Sequence, residues 1–265
     1  MQEAPRFPEE LLLHEPGRGR RLIGEFYEQY ETRSVSKTKP YKAKGKYDAT
    51  KAAFYRQRLE ALGHGGQSAG LDVGCRGGVM IELIDVIHWI GVDIDRNALS
   101  VARDSGIPCM EMDFTVDIGF RDESFDALTM TEVLEHLPYP SINVREVHRI
   151  LKKKAGSVYL GSVPLDYHLH RRWKVMRGKR LSGEQTHVHH FSFEELDRLL
   201  RFYFDDVEYL PLTGTAARYP ALKLPYNLFV RDIAWAASSP KLNPGKWDVR
   251  ADKGGKRAVP GSAGC

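Results

Sequence analysis

A glycine-rich turn between two apolar segments constrains this fold more than any other feature of the chain. The run LDVGCRGG occupies residues 71–78, where an apolar segment and Asp72 lead directly into three glycines. A second apolar segment ends at Asp93. A strand, a glycine turn, a helix and a second strand ending in an acid are the components of a βαβ unit that binds a nucleoside. Glycine lets the backbone approach a ligand closely, and the Asp93 carboxylate can accept hydrogen bonds from both hydroxyls of a ribose.

The rest of the chain continues this alternation of strands and helices. The predicted strands are Leu71–Val73, Trp89–Asp93, Pro108–Met112, Ser124–Met130, Ser157–Val163, Val207–Leu210 and Leu228–Ile233. The predicted helices are Ala49–Leu62, Gly78–His88, one capped by Asp95, one capped by Ser141, and one with a capping box of Ser192 and Glu195. This order predicts the α/β class, with a mostly parallel sheet that carries helices on both faces and binds its ligand at the carboxyl ends of the strands.

Changes in composition predict three parts of the chain. Residues 1–62 form an N-terminal helical segment, and residues 63–237 form the main domain. A basic insertion at about 164–190 interrupts that domain. Residues 238–265 are rich in Pro, Gly and Lys, which predicts a disordered tail.

The whole-chain composition argues against several functional classes. The 265 residues contain no apolar stretch of about 18 residues, which a membrane-spanning helix requires. The N-terminus lacks the layout of a signal peptide, and three cysteines show no metal-ligand spacing, so a reducing cytoplasm is expected. A net charge of +4 does not favour a dedicated nucleic-acid binder, although it leaves room for a local basic patch.

The glycine spacing selects among nucleoside ligands. It differs from the G-x-G-x-x-G pattern of nicotinamide dinucleotide sites, and no Lys-Ser or Lys-Thr follows as in a phosphate-binding P-loop. The acid Asp72 before the turn would repel a phosphate, whereas it can hold an ammonium group directly or through water. S-adenosylmethionine carries an amino acid at that end of the molecule.

Four motifs in order resemble those of a known family. They are LDVGCRGG at 71–78, GVDID at 91–95, MDF at 112–114, and SFDAL with EVLEHL at 124–128 and 132–137. On these motifs, residues 69–165 resemble a class I S-adenosylmethionine-dependent methyltransferase of the type 11 group. The resemblance implies a Rossmann-like fold with a seven-stranded sheet and S-adenosylmethionine as cofactor. The implied cofactor-binding residues are Asp72, Gly74, Cys75, Gly78, Asp93, Ile94, Asp113, Phe114 and Thr131.

The chain departs from this family at one position of the turn. Arg76 stands where the family usually has glycine, so its side chain either points away from the ligand or narrows the methionine pocket. The N-terminal segment of the family often covers the cofactor, which makes Tyr27, Tyr41 and Tyr47 candidates for contact. Cys75 is expected to be a compact packing residue.

Three histidines are the candidate catalytic residues. Methyl transfer requires an aligned acceptor and, for a hydroxyl, a group that takes its proton, and histidine suits that role near neutral pH. His136 follows the fourth strand, while His187 and His190 end the insertion. We expect O-methylation, or less readily N-methylation, of a small sugar-like, lipid-linked or secondary-metabolite acceptor.

The same motif raises an alternative with a metal ion. If Glu132, Glu135 and His136 begin a helix, they share one face, and a histidine from 187–190 would complete a divalent-metal site. This arrangement resembles the small-RNA 3′-end 2′-O-methyltransferases. Because metal-free members of the type 11 group carry the same motif, no metal ligand is assigned. A third hypothesis is a non-catalytic methyltransferase-like subunit, for which Arg76 is the main support.

The insertion holds the strongest local charge. Residues 167–183 contain no acid and six Lys or Arg residues, with Trp173 and Met176 among them. They form either a solvated turn, a recognition surface for an anionic acceptor, or a peripheral contact with an acidic membrane that Trp173 would anchor. The sequence does not indicate an oligomeric state.

Overall fold

The computed structural model describes residues 45–115, 118–181 and 186–245, which build one sheet and the helices around it. The strands are β1 (Ala69–Val73), β2 (His88–Asp93), β3 (Cys109–Glu111), β4 (Ala127–Thr131), β5 (Val158–Pro164), β6 (Phe204–Gly214) and β7 (Val230–Pro240). The helices are α1 (Lys46–Ala61), α2 (Val79–Leu83), α3 (Arg96–Asp104), α4 (Pro140–Ile150), α5 (Leu169–Met176), α6 (Phe193–Tyr203), α7 (Thr215–Arg218) and α8 (Tyr226–Phe229). Short 3-10 helices lie at Leu134–His136 and Pro220–Leu222.

The strands form a seven-stranded sheet in the order β3-β2-β1-β4-β5-β7-β6. The first five strands are parallel, and β7 runs antiparallel to both of its neighbours, β5 and β6. The predicted mostly parallel seven-stranded sheet is therefore confirmed. The chain order reverses between β1 and β4, and open α/β sheets bind ligands at such a switch point.

Two clusters of buried apolar side chains cover the sheet. One includes residues of α4 and α6, and the other includes residues of α1, α2 and α3. The adjacent β4 residues Ala127 and Leu128 belong to different clusters, because successive side chains of a strand point to opposite faces. The helices thus lie on both faces of the sheet, as the alternation of elements predicts.

Helix α1 belongs to the packed domain, although the sequence pattern assigns it to a separate N-terminal segment. It begins at Lys46, three residues before the predicted start. Tyr55 and Leu59 are fully buried in the second cluster. The composition change at residue 62 therefore marks a loop and does not separate α1 from the fold.

Several predicted boundaries are wrong for local reasons. Helix α2 ends at Leu83, well before His88, which begins β2. Helix α4 begins with Pro140 at its first position, so Ser141 is not its cap. Asp95 and Ser192 do cap α3 and α6 through their side chains.

The last strand also extends further than predicted. Ser238 pairs with Val158 on one side and Asp206 on the other, so the predicted tail at 238–265 begins too early. The N-terminal candidates Tyr27 and Tyr41 lie outside the described residues, as does the chain after residue 245. Within the described part, no helix is long and apolar enough to cross a membrane.

Candidate active site

Two glycines shape the turn that follows β1. Gly74 has φ 79°, and a Cβ there would lie 2.5 Å from a methyl group of Val133. Gly78 has φ 81°, and a Cβ there would lie 2.1 Å from Ile107. Both positions therefore exclude a side chain through conformation and space. The turn lies at the carboxyl end of β1, beside the switch point.

Asp93 ends β2 with its carboxylate oriented by the backbone. One oxygen accepts a hydrogen bond from the amide of Arg76 and the other from the amide of Asp95, both at 2.8 Å. Burial raises the pKa of this carboxyl, although the two amides oppose the effect. Each oxygen keeps a lone pair for a further donor, so the residue fits a pair of ribose hydroxyls.

Arg76 contributes its backbone to this site. Its φ is 48°, the left-handed region that glycine adopts without strain, and its side chain is exposed. The departure from the family's glycine therefore preserves the amide that orients Asp93.

Asp72 is the buried acid on β1. It is 2% exposed and accepts a hydrogen bond from the Thr129 hydroxyl of β4 at 2.6 Å. Burial raises its pKa to about 7, with a further upward contribution from Asp93, while Thr129 and Lys51 lower it. A buried carboxyl with a raised pKa favours a cationic ligand, because a nearby positive charge lowers the pKa again and stabilises the carboxylate.

The remaining predicted cofactor residues lie at the same edge of the sheet. Asp113 follows β3 and accepts hydrogen bonds from the amide and the hydroxyl of Thr115. Phe114 is buried beside it, and its carbonyl accepts from Asn143. Ile94 follows β2 and Thr131 ends β4.

Cys75 is buried in the turn. Burial raises the pKa of its thiol well above the usual range, and nearby Asp72 and Asp93 add to this effect. The thiol therefore stays protonated, as a compact packing residue requires.

A group of three side chains lies just beyond β4. One ligand atom from each of Glu135, His136 and His187 lies within 4.8 Å of the other two. The two imidazole rings meet edge to face, with centroids 4.9 Å apart. His136 Nδ1 lies 3.0 Å from the Thr186 carbonyl, and the Glu135 carbonyl accepts from the amide of Val188. The end of the insertion thus packs directly on the loop that follows β4, which contains the 3-10 helix Leu134–His136.

A pair of side chains, His190 and Asp166, lies beyond β5. His190 Nδ1 lies 2.5 Å from Asp166, which is fully buried and also pairs with Arg171 at 2.6 Å. A bridge between Leu165 and Phe191 aligns the two segments. Asp166 was missed in the sequence, although its position after a parallel strand is the signal that identified Asp93 and Asp113.

Glu132 occupies a position that the sequence pattern did not predict. Its φ is 54°, so it lies in a turn before the 3-10 helix, and the expected shared helical face with Glu135 and His136 is wrong. Its carboxylate accepts from the hydroxyls of Ser162 at 2.5 Å and Tyr47 at 3.1 Å. It is therefore held by β5 and α1 and lies outside the group of Glu135, His136 and His187.

The basic insertion forms α5, which has no buried residue. Its apolar side chains Leu169, Trp173 and Met176 are all exposed. His168 precedes the helix, and burial lowers its pKa to about 4. A cavity of about 770 Å³ lies on α4 beside Arg145, away from the carboxyl ends of the strands, so it does not belong to this site.

Residues 71–159 match a family model described as a methyltransferase domain. The chain is 33% identical over 101 residues to a ubiquinone biosynthesis O-methyltransferase of Pseudomonas syringae pv. tomato, which covers 35% of this chain and 43% of that protein. It is 29% identical over 105 residues to the mitochondrial enzyme of the same name from Saccharomyces cerevisiae, covering 36% and 34%. The chain thus spans less than half the length of these two relatives.

Solved structures agree on the fold. A SAM-dependent methyltransferase from Archaeoglobus fulgidus superposes with a TM-score of 0.54 at 18% identity, over 80% of this chain and 99% of that one. A putative methyltransferase from Bacillus halodurans gives 0.53 at 15% identity, over 72% and 100%. The [4+2]-cyclase SpnF also gives 0.53 at 18% identity, over 82% and 94%, so the fold alone does not determine the reaction. The first three motifs lie at the carboxyl edge of the sheet, and the fourth runs from the amino end of β4 to the loop that follows this strand. With all four motifs in place, the chain carries a class I S-adenosylmethionine-dependent methyltransferase domain of the type 11 group.

Proposed function

We propose that this protein is an S-adenosylmethionine-dependent O-methyltransferase that acts on a small-molecule hydroxyl. The observation that carries the proposal is the Asp166–His190 pair beyond β5. It provides an oriented imidazole on the residue after His189, whose amide donates to the Glu135 carbonyl in the loop that follows β4. Glu135 belongs to the group with His136 and His187. The names of the two relatives support oxygen as the methylated atom.

The cofactor half follows from the oriented acids. S-adenosylmethionine supplies a methyl group on a sulfonium centre. In this proposal, Asp93 binds the ribose hydroxyls and Asp72 holds the ammonium group, directly or through water. Gly74 and Gly78 keep the backbone close to the cofactor, while Asp113 and Phe114 lie at the adenine end.

The acceptor half requires a base. Asp166 fixes Nδ1 of His190, which leaves Nε2 to take the proton of the acceptor hydroxyl. The acceptor oxygen then bonds to the methyl carbon, and the electron pair of the carbon–sulfur bond remains on sulfur. In this proposal His136 and His187, whose rings meet edge to face, position the acceptor.

The charge of α5 suggests the class of acceptor. Within four residues of the exposed Trp173 in the sequence lie four cations, Arg171, Arg172, Lys174 and Arg177. Arg177 lies over the Trp173 ring, 4.6 Å from its centroid, and Arg171 pairs with Asp166. This composition favours an anionic or lipid-linked small molecule over a neutral one, and it suits peripheral contact with an acidic bilayer. The mild net charge does not favour nucleic acid.

The central experiment follows transfer of a labelled methyl group from S-adenosylmethionine to a panel of phenols, aliphatic alcohols and primary amines. We expect product from hydroxyl acceptors, and we expect His190→Gln to lower turnover by about 100-fold or more with unchanged affinity for S-adenosylhomocysteine, the demethylated product. His170→Gln, which changes an exposed histidine of α5, is the matched control. Transfer to amines alone, or full activity of His190→Gln, would contradict the proposal. Binding of S-adenosylhomocysteine without transfer to any acceptor would favour a non-catalytic subunit.

The group at Glu135 supports a second candidate, metal-assisted methylation of a hydroxyl such as a 3′-terminal ribose 2′-hydroxyl of RNA. Two imidazoles and a carboxylate suit a divalent transition metal. The Oε2 atom of Glu135 is buried without a hydrogen-bond partner among the described residues, which fits a ligand atom that awaits its ion. We would titrate Mn²⁺ into the protein by calorimetry and compare Glu135→Gln. Binding that the variant abolishes, together with activity lost on chelation, would support this candidate, and equal activity in excess chelator would reject it.

A further inference from the structure

A buried lysine on α1 lies among the acids of the site. Lys51 Nζ lies 3.6 Å from Asp48 and 3.8 Å from Glu132, and it donates to the Ser162 hydroxyl at 3.4 Å. The side chain is only 1% exposed. A buried ammonium is costly unless anions and acceptors surround it, so these contacts identify Lys51 as a counter-ion built into the domain.

The geometry of α1 creates this arrangement. Tyr47 and Lys51 are one helical turn apart, and the ammonium lies 4.7 Å from the centroid of the Tyr47 ring. The Tyr47 hydroxyl donates to the same Glu132 oxygen that accepts from Ser162. One face of α1 thereby holds the turn after β4 against β5. Neither residue lies within the segment that matches the family model.

The charge of Lys51 also acts on the cofactor half of the site. It lowers the pKa of Asp72, against a larger upward effect of burial. The other titratable groups facing Asp72 are Asp93, Tyr55 and Cys75. Within the described part of the chain, Lys51 is the cation that favours ionisation of Asp72.

We propose that Lys51 is a positioning residue for methyl transfer. Its ammonium fixes the Glu132 carboxylate against Ser162 in the turn after β4, at the edge of the sheet where Asp72 would receive the cofactor's ammonium group. The inference rests on the proposed function, because it assigns Asp72 to the cofactor. It adds that α1, outside the matched segment, is part of the site.

Calorimetry of S-adenosylhomocysteine binding between pH 6 and pH 9 tests this role. In Lys51→Met we expect the pH midpoint of the affinity to rise by about 1 unit, because the variant lacks the positive charge that lowers the pKa of Asp72. The affinity at pH 7 then falls about fivefold and recovers by pH 9. Lys51→Arg restores the original midpoint. Lys46→Met, an exposed lysine on the same helix, is the matched control.

The outcomes separate this inference from the proposed function. Coincident pH profiles of Lys51→Met and the unaltered protein, or an equal loss of affinity at every pH, would overturn the role of Lys51 alone. Absence of binding by the unaltered protein at every pH would overturn the proposed function and this inference with it. If Lys51→Met does not fold, Glu132→Gln replaces it. Glu132→Gln removes one of the two acids that pair with Lys51, so we expect the pH midpoint of the affinity to stay the same or to fall. A rise of this midpoint would overturn the inference.

Discussion

Buried carboxyl groups at the two ends of the parallel strands have pKa values shifted in opposite directions. At the amino end, Asp126 accepts a hydrogen bond from the Ala69 amide and pairs with Lys152 and Lys154. Burial alone would raise its pKa, but these partners lower it to about 2. At the carboxyl end, burial outweighs the partners of Asp72 and Asp93, and both pKa values are raised.

Under the proposed function, this difference separates a structural acid from acids that bind a ligand. Asp126 is already paired with Lys152 and Lys154, so its carboxylate stabilises the fold without a ligand. The pKa values of Asp72 and Asp93 stay raised, so a cation or a hydroxyl donor of the proposed ligand would stabilise their ionised forms. Raised carboxyl pKa values in this position are typical of functional sites.

The pH dependence of stability gives the largest expected contrast. Because the folded pKa of Asp72 is about 7 and its unfolded value about 4, its stabilising contribution is complete below pH 4 and is lost as the pH rises through 7. We expect Asp72→Asn to be more stable than the unaltered protein at pH 8, with a free energy of unfolding higher by up to about 4 kcal/mol. At pH 4 the two free energies of unfolding should be about equal. Urea denaturation at several pH values, without cofactor, measures this. A constant difference across the range would contradict the raised pKa.

Loss of Asp93, the proposed ribose ligand, is expected to give the next largest effect. Asp93→Ala removes two charge-assisted hydrogen bonds to the ligand, so we expect the affinity for S-adenosylhomocysteine to fall about 100-fold, or about 3 kcal/mol. Calorimetry below the melting temperature of the variant measures this. Asp126→Ala, the matched acid at the other end, should leave the affinity unchanged. Equal losses in both variants would erase the proposed distinction between the two ends.

Stability measurements on the same Asp126 variant should show the opposite pH pattern. In the unaltered protein, folding lowers the pKa of Asp126, so the stabilising contribution of this carboxylate is present above pH 4 and is lost as the pH falls toward 2. We expect Asp126→Ala to lower the free energy of unfolding by about 2 kcal/mol at pH 7, since Lys152 and Lys154 are partly exposed and water screens both pairs. A loss at pH 7 that persists unchanged at pH 2 would show that packing, and not charge, accounts for the effect.

The sequence predicts the carboxyl end well where a residue's role follows from its own strand. Asp72, Asp93 and Asp113 each lie on or next to a strand whose apolar pattern is readable, so their shared edge follows from parallel pairing alone. The seven strands could be predicted for the same reason, although β6 and β7 extend beyond the predicted segments.

Residues whose roles depend on packing between distant segments could not be predicted. Lys51 is one of many lysines near the N-terminus, and only the rotation of α1 on the sheet brings it to Glu132. The position of Asp166 after a strand could have been noticed in the sequence, but its pairing with His190 forms across a bridge that no local pattern indicates. The turn at Glu132 has a positive φ that is uncommon for its residue type, so the sequence did not show that the helix on which the metal alternative depends is absent there.

The backbone donors of the two ends differ as well, and they give the smallest expected effect. The Ala69 amide that serves Asp126 belongs to a regular strand, whereas the Arg76 amide that serves Asp93 has φ 48°. A side chain in this conformation costs about 1 kcal/mol, which glycine avoids. We expect Arg76→Gly to raise the free energy of unfolding by about 0.5 to 1 kcal/mol and to leave the affinity for S-adenosylhomocysteine within about twofold, because the amide remains. Arg56→Gly, in the exposed middle of α1, should instead lower stability by about 1 kcal/mol. If Arg76→Gly were also destabilising, the arginine side chain would contribute more to the turn than its conformation costs.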